Sequence, residues 1–156
     1  MRKILTAARV RIIDCPAGKG KGVLAVDAFA AGEVVLEFRG QHLRHRDIVD
    51  FTHCLEVRPG EYLGPSGAAD DFVNHSCAPN CRVVAEDGAV LLRALRDIAG
   101  GEELTFDYSR NLWDDPTAFF CDCGTVACRG EVRGPLPSPS ARAGNRRISG
   151  GAGGGL

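Results

Sequence analysis

No stretch of this 156-residue chain reaches the ~18 consecutive apolar residues that a membrane-crossing helix needs. The opening MRKILTAARVRIID also lacks the apolar core of roughly 7–15 residues and the cleavage pattern of a secretory leader. The chain is therefore expected to stay in a reducing compartment: the cytoplasm, or the nucleus in a eukaryote. A charge excess of either sign is missing too. Nineteen Lys and Arg against twenty Asp and Glu leave a net charge of −1, which excludes a strong whole-chain attraction to nucleic acid or membrane. No internal repeat is found, so a repeat architecture is not expected.

What is present suits one domain with one core: 44% of residues are hydrophobic and 25% charged. The charges are unevenly spread. Residues 1–22 carry six Lys and Arg against one Asp, whereas residues 47–71 carry Asp47, Asp50, Glu56, Glu61, Asp70 and Asp71 against Arg58 alone. An acidic segment of this kind reads either as a solvated face or as a recruiting surface for a cationic substrate. Seven cysteines in a reducing compartment read as metal ligands or structural thiols before they read as disulfides.

The body of the chain runs to about Val132. Beyond it, residues 133–156 are dominated by Gly, Pro, Ser and Ala and contain no acid. Such a composition cannot bury enough apolar surface to offset its ordering entropy, so this tail is expected to be disordered. Within the body, short β-forming runs alternate with Gly- and Pro-containing turns. Strands are expected over Val10–Ile13, Val23–Val26, Glu33–Phe38, Cys54–Val57, Glu61–Leu63, Cys81–Ala85, Val90–Leu95 and Leu104–Tyr108. Pro59–Gly60 and Glu86–Gly88 read as hairpin turns. Arg44–Val49 and Gly67–Phe72 each read as a helical turn or two. The fold class is mainly β.

Four local patterns carry chemistry. Gly18-Lys19-Gly20-Lys21-Gly22 precedes a strand, and closely spaced glycines let backbone groups approach a ligand, although the helix of a nucleotide-binding loop is missing. Asn74-His75-Ser76-Cys77-Ala78-Pro79-Asn80 packs amide, imidazole, hydroxyl and thiol groups into one loop, a density that needs partners when buried. Glu103-Leu104-Thr105-Phe106-Asp107-Tyr108 presents a phenol at the end of a strand-like run. Cys121, Cys123 and Cys128 are spaced C-x-C-x4-C beside Gly124, which suits tetrahedral zinc with a fourth ligand from elsewhere; Cys77 is the natural candidate.

Taken in order, GKG-VLA, EFRG, NHSCAPNC, GEELTFDY and CDCGTVACRG make the chain resemble the SET-domain lysine methyltransferases over roughly residues 9–130. The resemblance implies a β-clip of several small curved sheets around a pseudoknot, in which the segment at 74–77 threads beside that at 103–108. It implies a SET domain over residues 1–110 and a zinc-bound post-SET segment over 111–132. It further implies S-adenosylmethionine as cofactor, held by Gly20, Lys21, Gly22, Asn74, His75, Tyr108 and Phe120, with Phe119 or Phe120 walling the pocket. Cys77, Cys121, Cys123 and Cys128 would share a structural zinc ion. Tyr108 would be the catalytic tyrosine, and His53 and Phe106 would line the substrate channel. A Phe at position 106 implies two or three methyl additions, where a Tyr would stop at one.

The expected activity is methyl transfer to a lysine ε-amine of a protein or peptide by a monomer or weak dimer. Two alternatives stay open: the same cofactor used on another amine or in other sulfonium chemistry, and a SET-fold binding module without turnover. The substrate half departs from the family pattern. Asp71 stands where an Arg is usual, His53 falls near the place of a channel Tyr, Phe38 replaces another Tyr, and the insert between Gly40 and Asp70 is short.

Overall fold

The structure is a computed structural model that describes residues 9–16, 18–113 and 118–135. The basic residues before position 9 and the tail beyond position 135 lie outside the described residues. None of the described helices is long and apolar enough to cross a membrane.

Twelve short strands and three 3-10 turns make up the described elements, so the mainly β expectation holds. β1 (Val10–Asp14) pairs antiparallel with β2 (Lys21–Ala25). β3 (Val34–Phe38), β8 (Cys81–Glu86) and β9 (Ala89–Ala94) form a sheet in the order β3-β9-β8. Asp87 and Gly88 close the β8–β9 hairpin, both at positive φ (49° and 78°), the backbone that a two-residue turn matched to strand twist requires. β4 (His42–Arg44), β5 (Leu55–Arg58) and β6 (Glu61–Leu63) form a second sheet in the order β4-β6-β5. The two sheets touch where Gly40 meets Gly64: a Cβ on Gly40 would lie 1.9 Å from the Gly64 carbonyl oxygen, so no other residue fits.

Two further pairings decide the architecture. β7 (Asn74–His75) runs parallel to β10 (Thr105–Phe106), with Thr105 opposite Asn74 and Phe106 opposite His75. β11 (Phe119–Phe120) runs antiparallel to β12 (Glu131–Val132). The parallel pair joins segments that composition and periodicity leave unconnected, and it is the crossing that the resemblance implies. Asn80, 4% exposed, straps it from one side. Its Nδ2 donates to the Glu103 carbonyl at 2.8 Å and its Oδ1 accepts the Thr105 N–H at 2.9 Å. From the other side the Leu104 N–H donates to the Val23 carbonyl at 2.7 Å. Val23, Val35, Leu92, Leu104, Phe29 and Ile98 are buried beneath this crossing and form the centre of the core. Each such side chain contributes about 1.5–3 kcal/mol by leaving water.

Several local expectations are corrected. The strand expected over Leu104–Tyr108 is only Thr105–Phe106, and Tyr108 instead opens a 3-10 turn, Tyr108–Asn111. Asp107 turns the chain there, because its carboxylate accepts the Ser109 N–H at 3.0 Å. The helical turns shrink to His45–Asp47 and Ala69–Phe72. Strands β4, β7, β11 and β12 were not expected at all: at two or three residues each, they are too short to show a period.

Candidate active site

Tyr108 follows the crossing directly, and the crossing fixes it. Its hydroxyl donates to the Val73 carbonyl at 2.7 Å, and its N–H donates to His75 Nδ1 at 3.1 Å. Burial first, and then the Glu103 carboxylate, push its phenol up to about 12, so it is protonated at neutral pH. Its ring packs on Phe106 (centroids 4.8 Å) and His75 (5.4 Å), and Phe106 in turn meets Phe38 edge-on at 5.9 Å.

These rings face a cavity of about 300 Å³. Phe38, Phe106, Tyr108 and Val73 form part of its wall, together with His53, Glu56, Asp70 and Asp71. The structure thus brings Tyr108, Phe106 and His53 together on one cavity. His53 has a positive φ of 61°, a conformation that costs a non-glycine residue roughly 1–3 kcal/mol. It is held by Nδ1, which must donate to the Asp71 carbonyl (2.6 Å), and by its ring against Phe72 at 5.0 Å.

The charge at Asp71 is absorbed locally. Its carboxylate accepts the N–H groups of Ser66 (2.9 Å) and Gly67 (2.7 Å), while Asp70 accepts the Arg39 N–H at 2.9 Å and the Ser66 hydroxyl at 2.6 Å. This pair therefore builds the cavity rim. Glu56, 3% exposed, is likewise satisfied by backbone donors, Gly60 N–H at 3.2 Å and Trp113 N–H at 2.6 Å. Its main-chain carbonyl accepts from Asn111 Nδ2 at 3.0 Å.

On the other side of the crossing lies the glycine-rich segment. Asn74 Nδ2 donates to the Lys21 carbonyl at 3.0 Å and to Glu103 Oε1 at 2.9 Å, which places Gly20, Lys21, Gly22 and Asn74 on one surface. Gly20 has φ +70° and open space where a side chain would be, and Lys21 Nζ pairs with Asp14 at 3.0 Å. Lys19 reaches the cysteine segment, donating to the Asp122 carbonyl at 3.1 Å. A glycine backbone with open space at Gly20 beside a polar amide leaves room for the methionine part of S-adenosylmethionine.

His75 joins the two halves. Because Nδ1 accepts from Tyr108, the neutral ring carries its proton on Nε2, which lies 3.4 Å from Cys77 Sγ. Burial lowers its pKa despite the nearby Asp107, so the ring is neutral.

The thiols of Cys77, Cys121, Cys123 and Cys128 all lie within 4.8 Å of one another, although Cys77 comes from the crossing and the others from the segment around β11. Cys77 and Cys121 sulfurs are 3.8 Å apart. Tetrahedral zinc with ~2.3 Å Zn–S bonds spaces its sulfurs by about 3.8 Å, so the four fit that ion. Burial pushes the Cys121 thiol up. At Cys123 burial acts the same way but is outweighed by the Thr125 hydroxyl and by the Cys77 and Thr125 backbone, which draw it down. Arg129 clasps the cluster to the crossing: its N–H and Nε lie 3.4 Å from Cys77 Sγ, and its guanidinium donates to Asp107 at 2.7 Å.

The two neighbouring phenylalanines separate. Phe119 packs on His75 at 5.2 Å and on Tyr108 at 5.9 Å, whereas Phe120 is 90% exposed. Alternation along β11 sends them to opposite faces. Sequence reasoning did not single out Glu103, Asn80, Arg129 or the Val73 carbonyl. Glu103, Asn80 and Arg129 sit inside motifs already noted, but what they hold, like the Val73 carbonyl, is recognisable only once the segments are placed together.

A two-sided crossing with a phenol at its exit, a backbone cradle on one side and a four-thiol cluster beside it defines the SET class of fold. The SET domain family profile matches residues 20–109, and the chain belongs to that family. The chain is 33% identical to histone-lysine N-methyltransferase ash1 of Drosophila melanogaster, over 86% of this chain and 7% of that protein. It is 31% identical to the probable histone-lysine N-methyltransferase set-23 of Caenorhabditis elegans, over 74% of this chain and 56% of that protein. It therefore spans well under two thirds of the length of either relative. Among solved structures it resembles KRYPTONITE in complex with mCHH DNA, H3(1-15) peptide and SAH, with a TM-score of 0.64 and 26% identity over 81% of this chain and 31% of that one.

Proposed function

We propose that this chain transfers the methyl group of S-adenosylmethionine to a lysine ε-amine of a protein or peptide. The observation that carries the reading is Tyr108. It directly follows the crossing and lines the cavity, with its hydroxyl fixed on the Val73 carbonyl. The names of the relatives and the SAH in the solved structures support the cofactor and the reaction class.

In this reading Gly20, Lys21, Gly22, Asn74 and His75 hold the cofactor, and Phe120 is free to close over it. Cys77, Cys121, Cys123 and Cys128 hold zinc that is structural, since four thiolates leave no open coordination position. The domain division follows: a SET domain over residues 1–110 and a post-SET segment over 111–132.

When bound, the cofactor supplies a methyl group already activated on a positively charged sulfur. The chain's own contribution is alignment and desolvation. Phe38, Phe106 and the Tyr108 ring give an apolar wall, which disfavours the ammonium form of a lysine whose ordinary pKa is about 10.4. The proton leaves to solvent, the amine lone pair forms the N–CH3 bond, and the S–CH3 electron pair stays on sulfur. Tyr108, protonated and donating to Val73, keeps oxygen lone pairs free to accept from the amine and orient it. It is not a general base, because a phenol pushed up to about 12 has no phenolate to offer at neutral pH. Most of the acceleration is therefore positional.

The changed wall, with His53 and Asp71 in place of the family's usual residues, favours a protein substrate other than a histone tail. The relatives are proteins of eukaryotes, which fits a nucleus or cytoplasm. Incubation with methyl-labelled S-adenosylmethionine and either lysate protein or small amines tests the reading. Label on protein lysine is expected. Label only on small amines would move the assignment to another amine, and cofactor binding with no label at all would leave a binding module.

A further inference from the structure

His53 is held in a backbone conformation that opposes its own preference. Its φ of 61° lies in the left-handed region, where a residue with a Cβ is strained. Two contacts keep it there: Nδ1 lies 2.6 Å from the Asp71 carbonyl oxygen, and the ring meets Phe72 at 5.0 Å. A carbonyl only accepts, so Nδ1 carries the proton and the lone pair of the neutral ring sits on Nε2. Nε2 bonds to none of the described residues, and His53 is exposed while it lines the cavity. The fold thus sets the tautomer of a ring that belongs to both the cavity wall and the solvent.

A lysine ammonium must lose a proton before its nitrogen can attack, and the rest of the wall offers little to take it. Tyr108 is protonated, its phenol pushed up to about 12. Burial, and then Asp50 and Asp71, push the Cys54 thiol up, so no thiolate is on offer at neutral pH. Glu56, Asp70 and Asp71 spend their carboxylates on backbone N–H groups. The charged and titratable groups around His53 are Asp50 and Cys54 on its own loop and Asp70 and Asp71 on the facing 3-10 turn, with Arg39 on the same wall. Bonds from Thr52, and after them the His53 charge, hold the Asp50 carboxyl below its ordinary value.

We propose that His53 is the proton acceptor of the reaction: its Nε2 takes a proton from the substrate ε-ammonium in the cavity and passes it to solvent. One N–H bond of the ammonium breaks, and its electron pair stays on nitrogen as the lone pair that then attacks the methyl group. The proton forms Nε2–H, and the imidazolium returns it to water while Nδ1 keeps its own proton on the Asp71 carbonyl. The inference rests on the lysine-methylation reading above and adds the group through which the proton leaves.

Glycine and asparagine both tolerate a positive φ, so His53→Gly and His53→Asn are expected to fold and to bind S-adenosylhomocysteine as the wild type does. Neither carries an imidazole, and the Asn amide still has N–H groups for the Asp71 carbonyl. Methyl labelling of lysate protein from labelled S-adenosylmethionine should slow about 100-fold in both near neutral pH, the scale of general-base catalysis. The deficit should shrink as pH rises toward ~10, where lysine amines lose the proton unaided. Added imidazole should restore labelling by His53→Gly, whose missing side chain leaves room for it. Wild-type rates in either folded variant overturn the proposal and leave the lysine reading intact. A deficit that stays constant across the pH range overturns it too, because it marks a purely structural role. A wild-type chain that binds S-adenosylhomocysteine and labels no protein removes the lysine reading itself, and the proposal with it.

Discussion

The Tyr108 hydroxyl donates to the Val73 carbonyl at 2.7 Å across the two segments that cross at the heart of the fold. Val73 immediately precedes the strand that Tyr108's own segment pairs with, so one hydrogen bond reports whether the crossing is closed. It also spends the phenol's only proton, leaving oxygen lone pairs for an incoming amine.

Burial of that phenol has a pH signature. Its folded pKa, about 12, lies above the ordinary value of 10. The folded state therefore binds the proton more tightly than the unfolded chain does. The resulting stability is fully present below pH ~10 and is lost as pH rises toward ~12. Melting temperature measured from pH 8 to 12 should fall more steeply for the wild type than for Tyr108→Phe. Parallel curves would show that the phenol is not buried as described. Turnover should rise with pH as the substrate amine loses its proton, with no falling limb from Tyr108 below pH ~12.

Asn80 carries two of the bonds that strap the crossing, to the Glu103 carbonyl and the Thr105 N–H. Asn80→Ala leaves both backbone groups without their partner in a buried setting. Each such loss costs about 1–3 kcal/mol, so the variant should lose roughly 2–6 kcal/mol in urea unfolding. A loss below about 1 kcal/mol would mean the strap is not what holds β10 in place.

The four-thiol cluster and the crossing share Cys77. Chelation, or Cys123→Ser, should raise hydrogen exchange across residues 118–135 and weaken S-adenosylhomocysteine binding by about ten-fold or more, because ligation and local folding are coupled. The expected metal content is one zinc per chain. A metal-free sample that binds the cofactor product normally would separate the thiol cluster from the site.

Phe106, 6% exposed between Phe38 and Tyr108, offers no hydroxyl to hold a water in the cavity. Exhaustive reaction should give di- or trimethyl product by mass spectrometry. Phe106→Tyr should shift the product toward monomethyl. A wild-type chain that stops at one methyl would contradict this.

The mainly β class and the hairpins at Pro59–Gly60 and Glu86–Gly88 were legible because β-formers and turn residues alternate there. The crossing was legible only through resemblance: a parallel pair of two-residue strands leaves no periodic trace, and loop closure over thirty residues is invisible locally. The C-x-C-x4-C run pointed to zinc on spacing alone, and the structure supplied the proximity of Cys77. Asp71 looked like an unexplained charge reversal, because its partners are the N–H groups of Ser66 and Gly67, which no side-chain pattern announces. Phe119 and Phe120 could not be told apart until the register of β11 on β12 put the first against Tyr108 and the second into solvent. Glu103 stayed unassigned for the same reason: its carboxylate accepts from Asn74, twenty-nine residues earlier.

The account stands or falls on the oxygen of Tyr108. The measurement is a paired one on wild type and Tyr108→Phe: turnover on a lysine-containing protein with labelled S-adenosylmethionine, and affinity for S-adenosylhomocysteine on the same preparations. Turnover should drop by about 100-fold or more, the scale on which lost alignment is felt, while affinity stays within about two-fold. Activity that survives the loss of that oxygen would contradict the account.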